Sequence, residues 1–325
     1  MWDVVGLGEV LIDFTPAGWS DNGNVLFERN PGGAPANVLT ALSRLGRKTA
    51  FIGKVGQDQF GRFLADCLGQ NGIETSGVVF SSDTSTTLAF VHLNEEGERS
   101  FSFYRNPGAD TELMSSEVNP EMLRNARIFH FGSISMTHEP AATATLEACR
   151  QAREYGALIS FDPNLRPALW TDERSAKEAI AKGLGYADIV KLSFEEMQFL
   201  TSANELEEGA ARLHEQYGTP VILVTLGERG CYFHSSDYSA FVPAYKVHTV
   251  DTTGAGDAFL GGFLNKLLEK GGRLASLSEE DYVEMVRYGN AVGALATTKK
   301  GAIPAMPSQE EICEFMNEEL SRYME

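Results

Sequence analysis

Cysteine is sparse in this 325-residue sequence: the four present, Cys67, Cys149, Cys231 and Cys313, lie far apart and carry no metal-ligand spacing. That pattern argues against a disulfide framework or a thiolate metal centre and reads as reduced, mostly packed thiols. Positive charge is also short, 27 Lys and Arg against 45 Asp and Glu, for a formal charge of −18. A field of that sign repels polyanions, so neither nucleic acid nor an anionic membrane is an expected partner. There is no basic leader, and no apolar run approaches the length of a membrane span. A cytoplasmic location is therefore expected. Repeats, linkers and low-complexity tracts are missing as well.

What is there is a core. A hydrophobic fraction of 43% over 325 residues supports one large α/β unit with an appendage. Short apolar strand candidates fall at Val4 to Leu7, Thr49 to Val55, Ile128 to Phe131, Leu158 to Asp162, Ile189 to Leu192 and Val221 to Thr225. Helical periods lie between them, one traced by Phe60, Phe63, Leu64, Cys67 and Leu68, another by Ala141, Thr145, Leu146 and Cys149. Alternation of this kind predicts a three-layer α/β/α sandwich on a mainly parallel sheet. One region departs from it. Thr87 to Leu93 and Arg99 to Tyr104 flank Asn94-Glu95-Glu96-Gly97 and read as a β-hairpin. With strand material between Asp13 and Phe27, the hairpin makes either a small separate sheet or an edge extension of the main one.

Chemistry concentrates in Val250-Asp251-Thr252-Thr253-Gly254-Ala255-Gly256-Asp257, ahead of a helical run. Gly254 and Gly256 let backbone N–H groups close on an anion, and the helix adds the positive end of its dipole. A carboxylate there makes sense if Asp257 faces a nucleophile's proton while the turn neutralises a transferring group. An ordinary helix start with an acidic first turn fits these residues equally well. A second glycine pair stands in Pro31-Gly32-Gly33-Ala34-Pro35-Ala36-Asn37-Val38, again at a helix entrance.

Together the two segments resemble the paired signatures of the ribokinase-like (PfkB) carbohydrate kinases, Gly-Gly-x-x-x-Asn early and Asp-Thr-x-Gly-x-Gly-Asp late. The resemblance covers essentially the whole chain and implies a single kinase domain over residues 1–325, with a β lid formed from about 13–30 and 86–106. It implies ATP-dependent phosphorylation of a small-molecule sugar, with Asp257 as base. Gly254, Ala255, Gly256 and Arg166 would steady the transferring phosphoryl group. Asp13, Gly32, Gly33 and Asn37 would meet the sugar, joined by Asp162 and Asn164 of the Asp162-Pro163-Asn164-Leu165-Arg166 signature and by Arg105 from the lid side. Pro163 holds Asp162 out of helical conformation. A helix N-terminus should leave Asp257 ionised at pH 7 and a weak base.

For the nucleotide, the resemblance points to Lys191 and Ser193 in Lys191-Leu192-Ser193-Phe194-Glu195-Glu196, to Thr225, Gly227 and Gly230, and to Asn290. Ser193 stands where the family motif Asn-x-x-Glu has Asn, leaving Glu196 as the Mg²⁺ candidate, usually acting through water. The segment after Thr225 also reads as a tight turn. A K⁺ activator is implied at Asp251, Thr253, Ala296, Lys299, Gly301 and Ala305, mostly through carbonyls. The segments around Gly33 and Arg105 are most similar to fructokinases, implying transfer to the 6-hydroxyl of D-fructose and a possible homodimer through the lid. The alternatives are a 2-keto-3-deoxygluconate kinase, with Arg105 clamping the acid, and a silent sugar-binding regulator.

Overall fold

The computed structural model describes residues 1–93 and 99–324; the predicted hairpin turn at Asn94 to Gly97 lies outside them. Six strands come before the hairpin turn: β1 (Trp2–Leu7), β2 (Leu11–Trp19), β3 (Val25–Gly32), β4 (Thr49–Gly56), β5 (Ile73–Ser81) and β6 (Leu88–Leu93). After it come β7 (Arg99–Tyr104), β8 (Ala126–Gly132), β9 (Leu158–Asp162), β10 (Ile189–Ser193), β11 (Val221–Thr225), β12 (Gly230–Ser235) and β13 (Ser239–Pro243). The helices are α1 (Ala34–Arg44), α2 (Gln59–Gln70), α3 (Pro120–Arg124), α4 (Ala141–Glu154), α5 (Glu173–Leu184), α6 (Phe194–Thr201), α7 (Leu206–Tyr217), α8 (Ala255–Glu269), α9 (Glu279–Ala296) and α10 (Gln309–Met324).

Nine strands form the main sheet in the order β13-β12-β11-β10-β9-β8-β1-β4-β5. It is parallel from β5 to β11 and turns antiparallel at β12 and β13. All six strand candidates lie in it. Alternate strand residues point to opposite faces, which sorts the core into two layers. Val4, Phe51, Ile128, Ile189 and Val221 pack with Val38 and Leu42 of α1, Leu64 of α2, Phe259 and Phe263 of α8, and Met285 of α9. Their neighbours Val5, Ile52, Phe129, Val190 and Ile222 pack on the other face with Met122 of α3, Ala148 of α4, Ile180 of α5, Met197 of α6 and Leu213 of α7.

The second sheet has the order β3-β2-β6-β7, with β2 and β6 parallel and the outer pairs antiparallel. The hairpin strands therefore belong to a separate sheet, not to an edge of the main one. Asp13 sits inside β2, opposite Asn30 and Ala89. The cysteines are all free, as expected, but Cys313 is exposed rather than packed. No helix among the described residues is long and apolar enough to cross a membrane.

Candidate active site

Strand order reverses at β1: the chain first runs outward to β4 and β5, then returns on the other side through β8. In open parallel sheets such a switch point makes a crevice beyond the carboxyl ends of the strands. Asp162, Ser193 and Thr225 end β9, β10 and β11 at that edge. Helices α1 and α8 open onto the same edge, each from a glycine with no side-chain cap, Gly33 at φ 124° and Gly254 at φ 76°. Both angles favour glycine. A Cβ on Gly33 would stand 2.4 Å from the Glu9 carbonyl oxygen, and one on Gly32 would stand 2.2 Å from Asp13 Oδ2. Helix packing supplies the rest. Gly261 of α8 lies against Ala41 of α1, where a Cβ would come within 2.6 Å of the Ala41 methyl. One turn earlier on each helix, Asn37 Nδ2 donates to Asp257 Oδ2 at 2.8 Å.

Asp257 is buried, and burial pushes its pKa up to about 6, with the Asp162 carboxylate adding to the rise and Lys191 opposing it. Desolvation outweighs the helix N-terminus, so Asp257 holds a proton more tightly than the ordinary carboxylate expected from the sequence, while a pKa of about 6 still leaves it mainly ionised at pH 7. Ala255 N–H already donates to the Thr252 carbonyl at 3.2 Å. That leaves Gly256 and Asp257 among the first-turn amides without a helical partner.

Lys191 stands at the centre. Its Nζ donates to Asp162 Oδ2 at 2.9 Å and lies 2.8 Å from where a Gly256 Cβ would be. Burial alone would lower its pKa; Asp162, Glu196 and Asp257 more than reverse that and keep it cationic. Lys191, expected on the nucleotide side, is thus brought against the glycine turn and Asp257. Asp162 also accepts from Asn164 N–H at 3.1 Å, so both carboxylate oxygens are engaged within the protein, and Asn164 holds φ 46°. Arg166 is half-buried and electrostatically coupled to Asp13 and Asp257. Asp13 is itself pushed up to about 6 by burial.

Other expectations meet different geometry. Arg105 is buried: Nε donates to Asp110 Oδ2 at 2.7 Å, Nη1 to Thr137 Oγ1 at 2.7 Å and Nη2 to the Ile134 carbonyl at 3.0 Å. With those partners it braces the connection from β7 to the main sheet. Glu196 closes a capping box on α6. Its two oxygens accept from Leu165 N–H at 2.6 Å and Ser193 N–H at 2.7 Å, and burial raises its pKa. Thr225 Oγ1 donates to the Leu192 carbonyl. Gly227 and Gly230 turn β11 into β12, with Gly230 at φ 126° against the Val242 carbonyl. Asn290 Nδ2 donates to the Val242 and Pro243 carbonyls, fastening α9 to β13.

At the cation candidate, Asp251 Oδ1 accepts from Thr253 N–H and Oγ1 at 2.9 and 2.7 Å, while Oδ2 accepts from Gly301 N–H at 3.0 Å. Asp251, Thr253 and Gly301 are thus together beside Gly254. Ala296 and Ala305 are buried nearby in sequence. The Lys299 side chain turns away to Glu311. No group of three or more His, Cys, Asp or Glu able to hold a metal occurs among the described residues. Glu9 escaped the sequence reading; a carboxylate inside the apolar run Val4 to Ile12 was the signal.

Comparison with known proteins identifies the family of the chain. The pfkB family carbohydrate kinase profile matches residues 1–309. Fructokinase-1 of Zea mays is 47% identical over 315 residues, 96% of this chain and 97% of that protein. The fructokinase of Xylella fastidiosa with bound ATP superposes with a TM-score of 0.90 at 37% identity, covering 98% of this chain and 99% of that one. The fructokinase of Vibrio cholerae, bound to fructose, ADP and calcium, gives 0.86 at 35% identity over 97% and 99%. With its glycine-capped α1 and α8 meeting at Asn37 and Asp257, the chain belongs to the pfkB family of carbohydrate kinases.

Proposed function

We propose that this protein is a fructokinase that transfers the γ-phosphoryl group of ATP to the 6-hydroxyl of D-fructose. The observation that carries the reading is the Asn37–Asp257 contact at 2.8 Å, which joins a sugar loop to a base. Relatives that act on fructose supply the substrate class. The whole chain works as one kinase, with the β3-β2-β6-β7 sheet as its lid.

Asp257, ionised above its pKa of about 6, takes the hydroxyl proton as the bond to phosphorus forms. Asn37 orients the carboxylate. Asp13, Gly32 and Gly33 position the sugar. The Gly256 and Asp257 amides, Lys191 and Arg166 meet charge on the transferring group, where positioning and electrostatics provide most of the rate. Mg²⁺ would neutralise the polyphosphate. Glu196 suits a water-mediated role, since both its oxygens already serve backbone N–H groups but keep further lone pairs. K⁺ suits the pocket of Asp251, Thr253 and the Gly301 loop, where it would support the turn ahead of α8.

Fructose is favoured over 2-keto-3-deoxygluconate because Arg105, the clamp the acid needs, is buried with each of its three nitrogens bonded to Asp110, Thr137 or the Ile134 carbonyl. An intact Asp257 and glycine turn weigh against a silent regulator. Steady-state ADP release across fructose, 2-keto-3-deoxygluconate, ribose and aminoimidazole riboside tests the reading; no sugar-dependent turnover, or a tenfold preference for another substrate, overturns it. Trp19, Val25, Leu26, Phe27 and Tyr104 leave the small sheet with exposed apolar side chains on its surface. It suits a second copy of the chain, and a monomer at micromolar concentration in sedimentation would remove the dimer.

A further inference from the structure

Glu9 follows β1 between the buried stretches Val4–Leu7 and Val10–Ile12 and is 2% exposed. Its Oε1 accepts the Ala34 N–H at 2.9 Å; its Oε2 has no partner. Ala34 is the first residue of α1, and that helix starts from Gly33, which has no side chain to cap it. An ordinary N-cap Ser or Asp would satisfy a first-turn amide from within the loop. Here the glycine is needed for close approach, since a Cβ would strike the Glu9 carbonyl oxygen at 2.4 Å. The capping acceptor is supplied instead by Glu9, 25 residues away in sequence. The same first turn carries Asn37, the partner of Asp257. On the other side of Glu9 lies the Arg105–Asp110 pair at the foot of the lid, close enough to act on its charge.

We propose that Glu9 is a positioning residue, the remote cap of α1, which fixes the glycine pair and Asn37 in the geometry that receives the sugar. This rests on the fructokinase reading. Burial pushes Glu9 up to about 7, and both protonation states keep an acceptor for Ala34, so acceptor reach rather than charge defines the role. Gln preserves that reach, whereas Asp preserves the carboxylate but withdraws it by one carbon–carbon bond.

The test compares Glu9→Ala, Glu9→Asp and Glu9→Gln. In Ala and Asp the KM for fructose is expected to rise about tenfold and kcat to fall up to about tenfold through the loosened Asn37, with KM for ATP unchanged, and Gln is expected to recover fructose KM and kcat to within about threefold of wild type. A Gln variant as impaired as Asp, or equal rises in both KM values, overturns the proposal. If Glu9→Ala does not fold, the Asp and Gln pair carries the comparison. Amide hydrogen exchange of residues 34–38 without sugar keeps the result apart from substrate identity: faster exchange in Asp and wild-type exchange in Gln is expected, and no difference overturns the cap. Absence of fructose turnover by the wild-type protein would instead count against the fructokinase reading alone.

Discussion

Asn37 and Asp257 lie 220 residues apart in sequence and share a 2.8 Å hydrogen bond, which couples α1, the helix that begins at Gly33, to α8, the helix that begins at Gly254. Either helix displaced along or away from the other breaks it. In the proposed mechanism the base is thus oriented by a group that also belongs to the acceptor's pocket.

Asp257→Asn keeps the acceptor for Asn37 but removes the base. Its kcat is expected to fall at least about a hundredfold, with KM for fructose and ATP changed only a few-fold. A carboxyl raised in the folded state takes up a proton on folding between its ordinary pKa of 3.8 and about 6. Below 3.8 both states are protonated and nothing is lost; above 6 the folded protein holds a buried charge at a penalty on the order of 3 kcal/mol. The variant is therefore expected to melt higher than wild type at pH 8 and equally at pH 4. A variant with more than half of wild-type kcat would remove Asp257 as base.

The pH profile follows from two raised carboxyls. Asp257 and Asp13 each stand near 6, and each is useful when ionised. As pH falls through 6, log kcat/KM for fructose should drop with a limiting slope approaching two, and log kcat with a slope nearer one once bound sugar occupies Asp13. A flat kcat from pH 7 to pH 5 would contradict the assignment of the base.

Much of this site was legible as residue types and little of it as environment. The six apolar strands were readable because strands buried on both faces have no polar alternation. Strand β5 was missed because only every fourth residue of it is buried, a pattern closer to a helix period; β12 and β13 were missed behind the turn at Gly227. The glycines announced both helix entrances. The pKa of Asp257 depends on burial and on Asp162, almost a hundred positions away, and no local pattern encodes that. Arg105 looked like a free cation because its partners Asp110, Thr137 and Ile134 are assembled only by the tertiary fold.

Gly261→Val places a branched side chain where even a Cβ would lie 2.6 Å from the Ala41 methyl. Helices α1 and α8 must separate, at about 1–3 kcal/mol of stability. Because the Asn37–Asp257 bond is one turn away on the same faces, kcat should fall about tenfold in protein that remains folded. Lower stability with unchanged kcat would show that the helix spacing does not set the base.

The cation pocket gives a separate handle. At fixed ionic strength K⁺ is expected to raise kcat over Na⁺, since a larger ion suits carbonyl ligands around the Asp251 and Gly301 loops. Asp251→Ala should weaken that response by freeing Gly301 N–H and the Thr253 turn. Equal rates in K⁺, Na⁺ and a bulky organic cation would take K⁺ out of the mechanism.

Substrate choice turns on charge facing the sugar. Fructose is neutral and needs hydroxyl-binding groups such as Asp13, whereas a sugar acid would bring a carboxylate against Asp13 in a protein already at −18. That approach is unfavourable without an intervening cation, and Arg105 has its Asp110 ion pair at 2.7 Å to maintain. We expect kcat/KM for fructose to exceed that for 2-keto-3-deoxygluconate more than about tenfold, roughly 1.4 kcal/mol of discrimination. Arg105→Ala should lower stability by about 3 kcal/mol, because Asp110 is left buried with only the Thr87 hydroxyl, while leaving that ratio within about threefold. A wild-type preference for the acid that disappears in Arg105→Ala would instead identify Arg105 as a carboxylate clamp and the protein as the acid's kinase.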